Sequence, residues 1–188
     1  ASDYLVKELK SLGIKPYSGK NYIQTFEYKV KINPKDSTEL KVNTGRNVIG
    51  FLDNKASKTI VIGGHYDHLG LNEHHHSTKP NSDGEIHNGA DDNASGVAGV
   101  LELARMLSQN KTVEKANYIF ALFSGEEDGL IGSKKMAETI KILYPNVSSM
   151  LNMDMIGRLN DKKELTVGGV GTNPEFSKMT EQIGRAHV

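Results

Sequence analysis

Tyr4, Leu5, Leu9 and Leu12 recur at the three- and four-residue intervals of one helical face, and Gly13 followed by Pro16 supplies the stop. From Phe26 to Ile32 the period changes to two, with apolar and polar residues alternating as in an antiparallel or edge strand. Asn47–Leu52 and Thr59–Ile62 are further β-rich runs, separated by the turn-forming Asp53-Asn54-Lys55. The stretch from Leu71 to Gly89 is polar and aperiodic and reads as a loop. Val97, Val100, Leu101, Ala104 and Leu107 restore the helical period, with Asp92, Asn93 or Ser95 able to cap the start. Tyr118–Phe123, Met150–Met155 and Leu165–Val167 are short apolar runs that read as strands, the first two of the kind buried on both faces of a sheet. Leu130–Ile140 and Glu175–Ile183 read as helices, the second opened by Pro174. Strands alternating with helices predict an α/β sheet with at least a parallel middle.

The 188 residues suffice for one domain with a sizeable core, and residues 1–188 are read as a single catalytic domain. Lys+Arg and Asp+Glu number 23 each, a balance that gives no reason to expect a nucleic-acid partner. No apolar run approaches the roughly 20 residues of a membrane span. Cysteine is absent, so disulfides and thiolate ligands are excluded, and any metal must be held by His, Asp and Glu. The chain opens inside its first helix, so its natural start is expected upstream, with no signal peptide in view.

Four acidic or histidine clusters fall at strand ends or helix starts: His65 with Asp67, Asp91 with Asp92, Glu126 with Glu127, and Asp154. In open α/β sheets the carboxyl ends of the strands are where ligands bind. Taken singly, Asp91-Asp92 is an ordinary helix cap and Glu126-Glu127 a solvated helix start. Asp154 is harder to dismiss, because a carboxylate within the apolar run LNMDMIG is costly to bury unpaired. Four such clusters on one edge could converge on two divalent ions about 3.5–4 Å apart, which need a shared carboxylate to offset their repulsion.

The segments GGHYDHLG, NGADDNASGVAGVLELAR, FALFSGEEDGLIGS and LNMDMIGR resemble those of the co-catalytic zinc aminopeptidases of metallopeptidase family twenty-eight. The resemblance runs from about Ser2 to Gly184. It implies a mixed, mostly parallel sheet between helices, two Zn²⁺ per complete domain and a peptide substrate. His65 and Asp154 then resemble the ligands of one zinc, Asp91 the bridging aspartate, and Glu127 the ligand of the other. Glu126 resembles the general base and Asp67 the aspartate that orients the His ligand. The peptide bond after the bridging aspartate is expected to be cis, here Asp91-Asp92. Some relatives are carboxypeptidases or glutaminyl cyclases on the same shell; a binding protein that lost activity is the alternative of another class. The resemblance favours a periplasmic or secreted protein and leaves the oligomeric state open.

The family pattern includes a late His ligand, which is expected beyond this chain. His187 stands in the terminal string IGRAHV, which matches a translated sequencing adapter, so residues 183–188 are expected to be an artefact and His187 not a ligand. With that His missing, the chain is expected to bind at most one zinc tightly and to show little activity. His74-His75-His76 reads as a mobile polar tract; His68 and His87 flank the ligand motifs, and Arg158 could meet a substrate carboxylate or a loop acid.

Overall fold

In the computed structural model the residues described are 1–33, 36–82 and 84–185. The first helical period folds as α1 (Ser2–Ser11), with Leu5 and Leu9 buried and Tyr4 on the exposed face. A short β1 (Lys15–Pro16) leads to β2 (Ile23–Asn33), β3 (Asp36–Leu52) and β4 (Thr59–His65). After the long polar loop come α2 (Gly96–Gln109), β5 (Asn117–Phe123), α3 (Ile131–Leu143) and β6 (Val147–Asn152). The strands order as β1-β3-β5-β4-β6, with β2 paired to β3. β4 runs parallel to both β5 and β6, whereas β3 is antiparallel to β5 and to β2. The α/β sheet is mixed, as expected, but its parallel strands, β5, β4 and β6, form one side of it rather than the middle or the majority, because β3 pairs antiparallel with β1, β2 and β5.

Successive residues of the central strands enter opposite layers, because side chains alternate across a sheet. Val48, Ile62, Phe120 and Leu122 pack with Leu5 and Leu9 of α1 and Val100 and Ala104 of α2. Ile49, Val61, Ile119, Ala121 and Phe123 pack instead with Met136 and Ile140 of α3. Each of these Val, Leu, Ile, Met and Phe side chains contributes about 1.5–3 kcal/mol by burial. The near-continuous apolar runs of β4 and β5 are what a sheet covered on both faces requires.

Two expectations of strand extent need correction. The run Met150–Met155 was expected to be a strand buried on both faces throughout, but β6 ends at Asn152, and its Met150 and Leu151 are exposed. Met153 N–H gives a last bond to Gly63 O at 2.9 Å, and Met155 then turns into the left-handed region at φ 53°. Asp154 therefore lies just beyond the strand. Leu165–Val167, expected as a strand, pairs with no described strand, and Leu165 is 63 % exposed.

The chain divides into two compact units, Ala1–Gly157 and Arg158–Val188, where the sequence suggested one domain. The second contains a short turn of 3₁₀ helix (Val170–Thr172) and α4 (Pro174–Arg185), the helix expected after Pro174. Arg158 opens this second unit, and His187 lies outside the described residues. Among the described residues no helix is long and apolar enough to cross a membrane.

Candidate metal centre

His65 is the last residue of β4, at the carboxyl end of the parallel strands, and its ring is 1 % exposed. Nδ1 lies 3.0 Å from the Asp67 carbonyl oxygen, an acceptor only, so Nδ1 is the protonated nitrogen. In the neutral ring Nε2 then carries the lone pair, and it is buried without a hydrogen-bond partner. Three carboxylates surround it: Asp92 Oδ1 at 3.2 Å, Asp154 Oδ1 at 3.5 Å and Glu126 Oε2 at 3.8 Å. Among the described residues, His65, Asp92 and Asp154 form the one group of three or more such side chains whose ligand atoms lie within 4.8 Å of one another and could hold a metal ion.

Electrostatics show what this cluster lacks. Burial disfavours a charged His65 ring, yet Asp67 and the charges of Glu126 and Asp154 outweigh it and lift the pKa to about 9. Burial and the nearby Asp92 push Glu127 up to about 7, and burial raises Glu126 as well. Carboxylates held together out of water favour any added positive charge, whether a proton or a metal.

Asp67 acts behind the ring. Its carbonyl holds Nδ1, its Oδ1 sits 3.6 Å from that nitrogen, too long for a hydrogen bond but close enough to favour a positive ring, and its Oδ2 accepts from Glu127 N–H at 3.2 Å. Burial works against the charged Asp67 carboxylate, but its neighbours at His65 and at the Glu126 and Glu127 amides depress the pKa. One side chain thus fixes the His65 loop to the Glu126-Glu127 turn.

The aspartate in the cluster is Asp92, which corrects the expectation for Asp91. Residues 90–95 are an irregular turn before α2, with Asp92 at φ −104°, ψ 88° and Asn93 at φ −138°, ψ 42°. Asp91, Asn93 and Ser95 all turn toward the segment after β6. Gly157 N–H donates to Asp91 Oδ1 at 2.8 Å and Ile156 N–H to Ser95 Oγ at 3.0 Å. Asn93 Nδ2 donates to Met153 O at 3.0 Å, while Asn93 Oδ1 accepts from Met155 N–H and Gly96 N–H at 3.2 and 2.9 Å. Asp92, between them, is left facing His65. The cis peptide bond is Asp92-Asn93, one position later than expected.

Close backbone approach makes this arrangement possible. A Cβ on Gly96 would lie 2.3 Å from Asn93 Oδ1 and 2.4 Å from Met153 O, so only glycine fits. At the next strand, buried Asn47 accepts from Ser124 N–H at 3.1 Å and donates to Gly132 O at 2.7 Å. That clamps both ends of the turn carrying Glu126 and Glu127, which bends through Gly125 at φ 72°.

A sequence model of Peptidase family M28 matches residues 47–187. The chain belongs to this family. A probable zinc metalloprotease of Pyrenophora teres f. teres (strain 0-1) is 42 % identical over 105 residues, covering 55 % of this chain and 20 % of the relative. A probable leucine aminopeptidase of Arthroderma otae is 30 % identical over 142 residues, 71 % of this chain and 36 % of the relative. The chain thus spans a minor part of these relatives' lengths. Among solved structures, the Legionella pneumophila LapA aminopeptidase matches at TM-score 0.57 and 25 % identity, over 87 % of this chain and 36 % of that one. A Bacteroides thetaiotaomicron glutaminyl cyclase bound to N-acetylhistamine, at TM-score 0.57 and 20 % identity over 82 % of this chain and 52 % of its own, shares the fold.

In this M28 chain two positioning residues were missed by the sequence reading, Asn47 and, except as a cap, Asn93. The signal was present in Asn93, a polar residue inside NGADDNASG, whereas nothing in the β3 sequence marks Asn47. His68 lines a cavity with Asp67 and Glu127, and its Nδ1 lies 2.8 Å from His87 O. His87 joins Gly70 in an isolated bridge, with its Nε2 buried and unpaired.

Proposed function

We propose that this chain is the metal-binding part of a zinc aminopeptidase, in which His65, Asp92 and Asp154 hold one ion, Asp92 is shared, and Glu127 holds a second. The observation that carries the reading is the buried, unpartnered Nε2 of His65, facing two carboxylates at 3.2 and 3.5 Å. A hard-to-borderline donor set of one imidazole and several carboxylates suits zinc. The raised pKa of Glu127 agrees, since a carboxylate pressed against Asp92 gains most from a nearby cation. Bound zinc supplies Lewis acidity toward an amide carbonyl and lowers the pKa of water.

The protein's own residues supply the rest. Glu126, whose pKa burial raises, takes a proton from the attacking water and returns it to the leaving amine. Asp67 keeps the His65 ring in the tautomer that leaves Nε2 free, and holds the turn on which Glu126 and Glu127 sit. Among the described residues the second ion has only the carboxylates of Asp92 and Glu127. We therefore propose that the 188-residue chain binds one zinc tightly and a second weakly, with little turnover of its own.

The test compares Glu126→Gln with Glu127→Gln, reading zinc per chain and cleavage of an amino-acid anilide by a longer form of the protein that carries the late His ligand. Glu126→Gln is expected to keep its zinc and lose nearly all turnover, by about 10²–10⁴-fold for a lost general base. Glu127→Gln is expected to lose zinc. Equal zinc loss in both would show that the two roles are wrongly assigned.

A further inference from the structure

The polar loop after β4 carries three consecutive histidines, and the fold treats them differently. His74 Nδ1 lies 2.8 Å from Asp128 Oδ1, and His76 Nδ1 lies 2.7 Å from the Glu127 carbonyl oxygen. Both partners can only accept, so both Nδ1 atoms carry the proton, and in the neutral rings each Nε2 is left with its lone pair. Asp128 is itself held by Tyr28 Oη, which donates to Oδ2 at 2.9 Å. The two rings stand 5.9 Å apart between centroids, edge to face, and both line the same two adjoining cavities of about 380 and 340 Å³. Glu73 lines the larger cavity as well, and neither cavity includes His75.

We propose that His74 and His76 form a second metal site, distinct from the His65 centre, for a divalent transition ion that favours imidazole, Cu²⁺ before Ni²⁺ or Zn²⁺. Histidines that ligate through Nε2 characteristically have Nδ1 anchored on a carboxylate or carbonyl, which fixes the ring and raises its basicity. Both rings meet that condition on one turn, the one clamped by Asn47, and water completes the set of donors. A bound ion ties the 71–89 loop to the Glu126–Asp128 turn. The inference does not rest on the proposed peptidase activity, because its donors are different side chains.

The experiment is a Cu²⁺ titration of the 188-residue chain, read by stoichiometry and by electron paramagnetic resonance. The His65 centre has a single imidazole among the described residues, so a Cu²⁺ signal coupled to two nitrogens reports the new site. The His74→Gln/His76→Gln variant is expected to lose one equivalent, or at least about tenfold in affinity, together with that coupling. His75→Gln is expected to bind as the parent does, and His65→Gln to keep the two-nitrogen signal. A one-nitrogen signal in the parent would overturn the proposal whether or not the variants fold. So would a loss in His75→Gln equal to that in the double variant.

Discussion

Replacing Asn93 with Ala removes a side chain that is 1 % exposed and makes three hydrogen bonds. The change leaves Met153 O and Met155 N–H without their partners, and removes the acceptor from Gly96 N–H at the first turn of α2. An orphaned buried group costs about 1–3 kcal/mol, and the helix-start amide costs least because water reaches a first turn more easily. The sum is about 3 kcal/mol of stability. With a urea m-value of about 2 kcal/mol/M, the midpoint of the metal-free protein falls by roughly 1.5 M. The functional consequence is separable from the stability loss. Asp92 precedes Asn93 and Asp154 follows Met153, so this one amide sets the spacing of the two carboxylates that face His65. Zinc affinity is therefore expected to drop about 10–100-fold, the usual cost of losing support behind a metal ligand. Urea unfolding followed by circular dichroism, and zinc titration against a competing chelator, measure the two effects. A loss below about 1 kcal/mol with unchanged zinc affinity would refute the view that Asn93 spaces the ligands.

Two other outcomes follow from the same geometry. Asp92→Asn is expected to weaken zinc binding far more than Asp91→Asn, because Asp92 faces His65 and Asp91 accepts from Gly157 N–H; chelator competition distinguishes them, and the reverse order would return Asp91 to the metal. The metal-stripped protein should lose stability as pH rises. His65 is lifted from an ordinary 6.5 to about 9, so its contribution, about 3 kcal/mol, is complete below 6.5 and gone above 9. Glu127 is raised from 4.5 to about 7, so the folded protein holds a proton that the unfolded chain has released, and stability falls through that window too. Melting temperatures between pH 5 and 9 should therefore decline without metal and decline less with saturating zinc, which competes with these protons; a stripped protein that melts higher at pH 9 than at pH 6 contradicts the assignment.

Hydrophobic period alone located α1, β4, β5 and α2 to within a few residues, because each buries a continuous stripe or face that local spacing records. It also put His65, the Asp91-Asp92 pair, Glu126-Glu127 and Asp154 at one edge of the sheet, since His65, Glu126-Glu127 and Asp154 sit at or just after the ends of parallel strands and Asp91-Asp92 at the start of a helix. The choice between Asp91 and Asp92 was not legible in this way. That choice depends on residues 90–95 being irregular, and their backbone is held by bonds to the segment after β6, some 60 residues away in the chain. The end of β6 was misjudged for a related reason: apolar composition runs on through Met155, but the strand stops where pairing with β4 stops. Asn47 and the His74–Asp128 contact were invisible because the partner lies across the fold and leaves no periodic trace. The sequence by itself thus determined which elements form and which acidic residues reach the carboxyl edge, both consequences of local spacing. Only the tertiary structure decided which carboxylate turns toward His65 and which side chains hold it there, because those contacts form between segments that local spacing cannot relate.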